Sequence, residues 1–338
     1  MQQRFAVFLA VAGFLGLGLG GLLLTAGAAS PPTERISFQI ATGSTAGTFF
    51  PVGEAIAGLI SHPPGVDRCD SAPVCGPPGL VISARTSQGA IDNVTEVNNG
   101  DAESGLAQGD VVAAAVKGAP PFRAKATHIR VIASLFNEDV HLVVAAKSKI
   151  QSVADLRGKR LSLGSAGSSS GMTMREVLAA YDVPEKSLKL VPSQGANDIA
   201  LMQAGKIDAF FAVGGAPVSA LTDLFSSGAV RLVPVDGAGR DRLVKMVPSF
   251  APAVIPANLY PGQASTQTVA TRALWIVRDS VPDNLVYGIT QALFNPLNRA
   301  ALSASHPSAR EIRLADATRD LPAPLHKGAV RFYQAAHH

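Results

Sequence analysis

Charge is scarce in this chain: Asp, Glu, Lys and Arg make up 16 % of its 338 residues, against 47 % apolar residues. That balance can fill a sizeable core and argues against a disordered or collagen-like chain. The basic excess is small too, 29 Lys and Arg against 25 Asp and Glu, for a formal net charge of +4. No four basic residues occur in a row, which leaves little footprint for a phosphate backbone and argues against nucleic acid as a partner. Also absent are a Walker phosphate loop, a zinc-type His-Glu-x-x-His and a cysteine-nucleophile pattern, so neither a cofactor nor a metal is expected.

Cysteine is nearly absent as well. Cys69 and Cys75 are the only two, in Cys-Asp-Ser-Ala-Pro-Val-Cys. In an exported protein this spacing reads as a disulfide clipping a short loop, worth about 2 kcal/mol. No His or further Cys lies nearby to complete a zinc set. The argument for export comes from the N-terminus. Met1 to Arg4 carries one positive charge, Phe5 to Leu24 contains no polar residue, and Ala26-Gly27-Ala28 has the small-x-small form that signal peptidases accept. A signal peptide over 1–28 and a periplasmic location are expected. An uncleaved anchor is the alternative, because the apolar run is long enough to span a bilayer. No cysteine near the cleavage site permits lipid attachment, and no later window reaches about 18 uninterrupted apolar residues.

At roughly 100 to 200 residues per domain, the length suggests two domains. Past residue 34, β-rich runs alternate with helical ones, which predicts an α/β architecture with largely parallel sheets. Strands are expected at Ile36 to Ala41, Leu80 to Ala84, Ser104 to Gln108, Ile129 to Leu135, His141 to Ala145, Arg160 to Leu163, Leu188 to Val191, Ala209 to Val213 and Val230 to Val233. Helices are expected at Pro51 to Ile60, Met172 to Tyr181 and Ala196 to Ala204.

The chain also repeats itself. The first strand runs into Gly43-Ser44-Thr45-Ala46-Gly47-Thr48 and a helix; the strand ending at Leu163 runs into Gly164-Ser165-Ala166-Gly167-Ser168-Ser169 and a helix. Later in each half a helix ends at glycine, an acid follows three positions on, and a buried strand comes next: Gly100 and Glu103 in one half, Gly205 and Asp208 in the other. The two markers are offset by 164 − 43 = 121 and 205 − 100 = 105 residues. The 16-residue difference fits an insertion, the cysteine loop of Ser61 to Gly79.

Two related lobes imply a cleft, and in open α/β sheets ligands bind beyond the carboxyl ends of the strands. Helix N-termini supplemented by hydroxyls make anion sites there without needing arginine. The leading ligand contacts are Ser44, Thr45 and Thr48 with Phe49 in lobe 1, and Ser165, Ser168 and Ser169 in lobe 2. Capping of their own helices is the plainer role for these hydroxyls. Thr86, Ser87 and Asn93 form a third edge, Gln108 ends the next strand, and Gly214, Gly215 and Ala216 offer a backbone wall. Arg85 could take a carboxylate bidentately, with a solvated or lobe-bridging arginine as the alternative. His141 reads as a satisfied strand-end histidine, and Glu138 and Asp139 as polar hinge residues rather than an acid/base pair.

These residues bring a family into view. Gly43 to Gly53, Thr86 to Asn93, Gly100 to Asp110, Ile132 to Leu135 leading into Val140 to Val144, Ile150 to Arg160, Gly205 to Phe211, Gly214 to Pro217 and Ile255 to Gly262 occur in an order and spacing that resembles the TAXI group of TRAP transporter solute-binding proteins. The resemblance covers roughly residues 36–300. It implies a bilobal, type II-like periplasmic binding protein with two doubly wound lobes joined by a hinge. Such a receptor closes on a small organic anion (a dicarboxylate, a keto acid or an acidic amino acid such as glutamate) and delivers it to TRAP permease membrane subunits. A monomer is expected. Phe49 and Phe50 stand where tyrosine is common in the family, and the Cys69 to Cys75 loop is not a general family feature.

The expected lobes are 35–136 plus 237–300, and 138–236, with the tail 301–338 packing on lobe 1. Two other functions compete. A periplasmic sensor feeding a membrane kinase would have the same cleft. A serine hydrolase would use Ser169 in Gly167-Ser168-Ser169-Ser170-Gly171, which matches Gly-x-Ser-x-Gly. The histidines after that motif, His306, His326, His337 and His338, all fall in the tail, so no enzyme is expected.

Overall fold

A computed structural model describes residues 34–66, 74–162, 164, 167–193 and 198–336. The expected signal peptide, Ser165 and Cys69 lie outside the described residues, and so does the Cys69 to Cys75 pairing. Cys75 itself is buried.

The strands are β1 (Ile36–Ala41), β2 (Leu80–Arg85), β3 (Ser104–Gln108), β4 (Ile129–Ala145), β5 (Arg160–Ser162), β6 (Lys189–Val191), β7 (Ala209–Gly214), β8 (Val230–Val233), β9 (Ala251–Ile255) and β10 (Thr266–Arg278). The helices are α1 (Phe49–Ile60), α2 (Ala90–Asn99), α3 (Gly109–Lys117), α4 (Ser170–Ala180), α5 (Asp198–Gln203), α6 (Ser219–Ser226), α7 (Gly237–Met246), α8 (Asp283–Leu293), α9 (Arg299–Ser305) and α10 (Lys327–Ala336). One sheet joins all the strands in the order β2-β1-β3-β10-β4-β7-β5-β6, with β8 also on β4 and β9 on β10.

The α/β class stands, but the sheet is mixed rather than largely parallel. Its wings are parallel, β1 with β2 and β3 on one side and β5 with β6 and β7 on the other. The centre is antiparallel, because β10 runs against both β3 and β4, and β4 against β7. The two runs expected at 129–135 and 141–145 are one 17-residue strand. Asn137, Glu138 and Asp139 interrupt its apolar pattern, yet they pair with Arg272, Thr271 and Ala270 of β10 and so remain in the ladder.

Each wing has its own core. Phe38, Ile40, Leu106, Val131 and Trp275 belong to the first, together with Leu302, Ile312, Phe332 and Tyr333 from the tail. The second wing is covered on both faces. Leu142, Met174, Val177 and Phe211 form one cluster, and Val143, Phe210, Leu221 and Tyr260 another. Lobe 1 was expected to resume at 237, but Leu243, Phe250 and Val269 pack in the cluster of Leu142, and Ile255 and Tyr260 in that of Phe210. The chain rejoins the first core at Ala273. The cause is β10, which, like β4, is long enough to serve both wings.

The repeat has a physical basis. Gly100 and Gly205 both hold positive φ, 90° and 64°, a backbone region that glycine enters without a Cβ penalty. The acid three residues on then reaches back to the first strand of its wing. Glu103 Oε2 accepts from the amide of Gln39 at 2.9 Å, and Asp208 Oδ2 from the amide of Arg160 at 2.7 Å. These pairs are 64 and 48 residues apart, which again differ by 16.

Candidate functional site

The Gly/Ser loops of the two repeats meet across a cavity of about 260 Å³ at the carboxyl ends of the strands. Lobe 1 contributes Gly43, Ser44, Gly47, Thr48, Phe49, Gln88, Gly89, Ala90 and Gln108; lobe 2 contributes Ser168, Ser169, Ser170, Ser193, Asp198 and Val213; Glu138 comes from the shared strand β4. No lysine, arginine or histidine is among these lining residues.

Two helices start at this cavity. Thr48 and Ser169 occupy the N-cap positions of α1 and α4, and neither side chain caps its helix. The hydroxyl of Thr48 instead donates to the carbonyl of Gly215 at 3.2 Å, a bond between the lobes. The first-turn amides of both helices are therefore not satisfied by these side chains, and such amides carry the partial positive charge of the helix end. A third helix, α2, is engaged from within the protein: the amides of Ile91 and Asp92 donate to the carbonyl of Gly167 at 3.1 and 3.4 Å. The second Gly/Ser loop thus touches the start of α2 directly. A Cβ on Gly167 would sit 2.4 Å from Cβ of Gln88, and one on Gly215 would sit 2.3 Å from Oγ of Ser308 and 3.0 Å from Cγ2 of Thr48.

Glu138 is 1 % exposed, and its carboxylate accepts from the Nε2 amide of Gln108. Burial pushes its pKa up to about 8, partly opposed by the Gln108 bond and reinforced by the charge of Asp110. At neutral pH the carboxyl therefore carries a proton and can donate it in a hydrogen bond. Across the cavity, Asp198 accepts from the hydroxyls of Ser162 and Ser193, the latter at 2.8 Å.

The expected contacts divide into three groups. Ser44, Thr48, Phe49, Gln108, Ser168 and Ser169 line the cavity. Thr45, Arg85, Thr86, Ser87, Asn93, Gly214, Gly215 and Ala216 do not, although Gly215 holds Thr48 at its edge. Arg85 forms an ion pair with Glu96 of α2. Asn93 is fully buried and donates to the carbonyls of Thr42 and Leu106, at 2.5 and 2.7 Å, while Ser87 donates to Asn93 Oδ1 at 2.6 Å. These two residues brace the loop rather than face the cavity. Ser165 lies outside the described residues. Sequence reasoning missed Gln88, Ser193, Asp198 and the cavity role of Glu138; for Glu138 the signal was a charge inside an otherwise apolar strand.

His141 is a satisfied core histidine. It is fully buried, with Nδ1 2.9 Å from the carbonyl of Asp139 and Nε2 2.9 Å from the hydroxyl of Tyr260. Tyr260 in turn accepts from the amide of Val218 at 2.9 Å. Its proton then goes to Nε2 and the Nδ1 proton to Asp139, so the ring is neutral; burial lowers its pKa to about 4. Among the described residues that line the cavity with Ser169 there is no histidine. His306 and His326 each accept from a tail amide, of Ser308 and of Gly328, both at 3.1 Å.

Among solved structures, MatC from Rhodopseudomonas palustris, with bound malate, matches with a TM-score of 0.51 at 13 % identity, over 89 % of this chain and 97 % of that one. The periplasmic aliphatic sulphonate binding protein SsuA from Escherichia coli matches with a TM-score of 0.46 at 16 % identity, over 90 % and 84 %. The α/β fold is shared with MatC. Among the described residues no helix is long and apolar enough to cross a membrane. The NMT1-like family matches residues 40–336, and this chain belongs to that family.

Proposed function

We propose that this protein is an extracytoplasmic solute receptor of a TRAP-type transporter, which captures a small organic anion by lobe closure and presents it to membrane permease subunits. The observation that carries the reading is the cavity between the repeated loops, with helix N-termini and hydroxyls from both lobes and a protonated Glu138 at its floor. That surface offers hydrogen-bond donors without a fixed cation, which suits a carboxylate, and the Asp198 carboxylate at its edge already accepts from Ser162 and Ser193. At about 260 Å³ the cavity lies at the small end of ligand sites, in keeping with a dicarboxylate, a keto acid or an acidic amino acid. The two lobes of the proposal divide at the shared strands, near Asn137 to Val140 of β4 and near Val269 to Arg272 of β10. Export by the signal over 1–28 completes the reading.

The test is a thermal-shift screen of the protein without its first 28 residues against amino acids, dicarboxylates and keto acids, followed by calorimetry on any hit. A ligand binding the folded form at 100 times its Kd stabilises by about 2.7 kcal/mol, a readily measured shift. Binding of one such anion, weakened at least tenfold by Ser169→Ala together with Thr48→Val, is the expected result. No response to any small anion, or equal binding by the double variant, overturns the reading.

A further inference from the structure

A second cluster of oxygens lies beside the solute cavity, one turn further along α3 and α4 from Gln108 and Ser169 and next to Glu138 in the β4–β10 ladder. Asp110 is in the first turn of α3, whose Val111, Val112 and Ala115 pack in the first core. Thr173 and Glu176 stand one turn apart on α4, whose Met174, Val177 and Leu178 pack in the second. Thr271 belongs to β10, one of the two strands that serve both wings.

Asp110, Thr173 and Thr271 are each 1 % exposed or less. Yet both carboxylate oxygens of Asp110, both threonine hydroxyls and Oε2 of Glu176 lack a hydrogen-bond partner of normal geometry. Looser hydrogen bonds from the two hydroxyls and from the amides of Asp110 and Val111 favour the charged form of Asp110 against its burial, and the charge of Asp110 disfavours ionisation of Glu176. Buried polar atoms without partners are rare, and five in one place ask for an explanation. A cavity of about 470 Å³ lined by Asp110, Glu176 and Met172 gives access from solvent. Lys117 lines it too but makes no ion pair with either acid among the described residues.

We propose that Asp110, Thr173, Glu176 and Thr271 form a binding site for a hard metal cation at the seam between the lobes. The donors are carboxylate and hydroxyl oxygens only, the set that suits sodium or calcium and not a soft transition metal. A cation there satisfies the five oxygens and cancels the repulsion between the two acids. Because the donors come from α3, α4 and β10, it also ties the lobes together. This site shares no lining residue with the solute cavity, although the charge of Asp110 also acts on Glu138 there, and its test therefore uses no solute.

The experiment measures thermal melting of the protein without its first 28 residues, with no solute added, in sodium, potassium, calcium and choline chlorides at equal ionic strength. One metal cation is expected to raise the melting temperature by several degrees over choline. The half-saturating concentration should rise at least tenfold in Thr173→Val, which removes one donor and keeps the shape, and the response should vanish in Glu176→Gln. A sodium or potassium response assigns a monovalent site, a calcium response a divalent one. Equal melting in all four salts overturns the proposal, as does a cation response that survives in Glu176→Gln. If instead the two acids share a proton, lowering the pH stabilises the protein equally in all four salts, and that outcome also overturns it.

Discussion

Tyr260 shows how much one residue can hold. Its hydroxyl accepts from the amide of Val218 at the start of α6 and meets Nε2 of His141 on β4, so Tyr260→Phe leaves two buried groups unpaired. At about 1–3 kcal/mol each, the expected loss is roughly 2–6 kcal/mol, read from urea unfolding, with the solute site untouched. Glu138 sets a pH dependence. Its pKa is raised from 4.5 in the free side chain to about 8 in the fold, so between those values the folded state holds the extra proton and stability falls as pH rises. Asp139, raised to about 7 by burial and by the charge of Glu311, acts in the same direction. His141, lowered from 6.5 to about 4, acts oppositely, but only below pH 6.5. The wild type should therefore melt several degrees lower at pH 8.5 than at pH 6.5, and Glu138→Gln should lessen that slope; an unchanged slope would remove Glu138 as a source. Legibility at this scale was uneven. Hydroxyls at strand-to-helix turns were readable only in part: Ser44, Thr48, Ser168 and Ser169 line the cavity, while Thr45, Thr86 and Ser87 do not. Asn93 and Arg85 were not, since whether a polar side chain faces a ligand or braces a backbone carbonyl depends on neighbours far away in sequence.

Among the elements, the paired Gly/Ser loops carry the sharpest prediction. Gly167 passes so close to α2 that a Cβ there would meet Gln88 and Asp92, residues of the other lobe. Gly167→Ala should therefore leave melting of the unliganded protein nearly unchanged while weakening solute binding at least tenfold. Binding at the wild-type level would show that this contact plays no part in the liganded form. The helices and strands of the repeat followed from local pattern, because a strand, a glycine turn and an amphipathic helix each declare themselves within about ten residues. The central strands did not. Asn137-Glu138-Asp139 broke the apolar pattern of β4 and read as a loop, and β10 escaped notice although its apolar residues are buried on both faces. Their continuity rests on the register between them, Glu138 opposite Thr271 and Asn137 opposite Arg272, a contact separated by more than a hundred residues.

For the whole molecule, the two wings are already in contact, through Thr48 to Gly215 and Gly167 to α2. If closure accompanies binding, the solute-free protein should be more extended, and small-angle scattering should record a smaller radius of gyration once solute is added. An identical scattering curve with and without a tightly bound solute would count against hinge closure. The tail takes part in this arrangement: Glu311 accepts from the amide of Asn137 at 3.0 Å and lies 3.7 Å from Arg272, one residue on each of the two shared strands. It braces the region where bending would occur.

The sequence by itself determined the α/β class, the duplication and the position of the two loops, because turn glycines, hydrophobic period and helix starts are local properties. Only the tertiary structure decided which hydroxyls face the cavity, that an apparently loop-like acid, Glu138, lines it, that Leu243, Phe250 and Val269 pack with the core of the second wing, and that buried oxygens from α3, α4 and β10 converge. Each of these depends on what a side chain meets across the fold, and burial and partner geometry exist only once distant segments have been brought together.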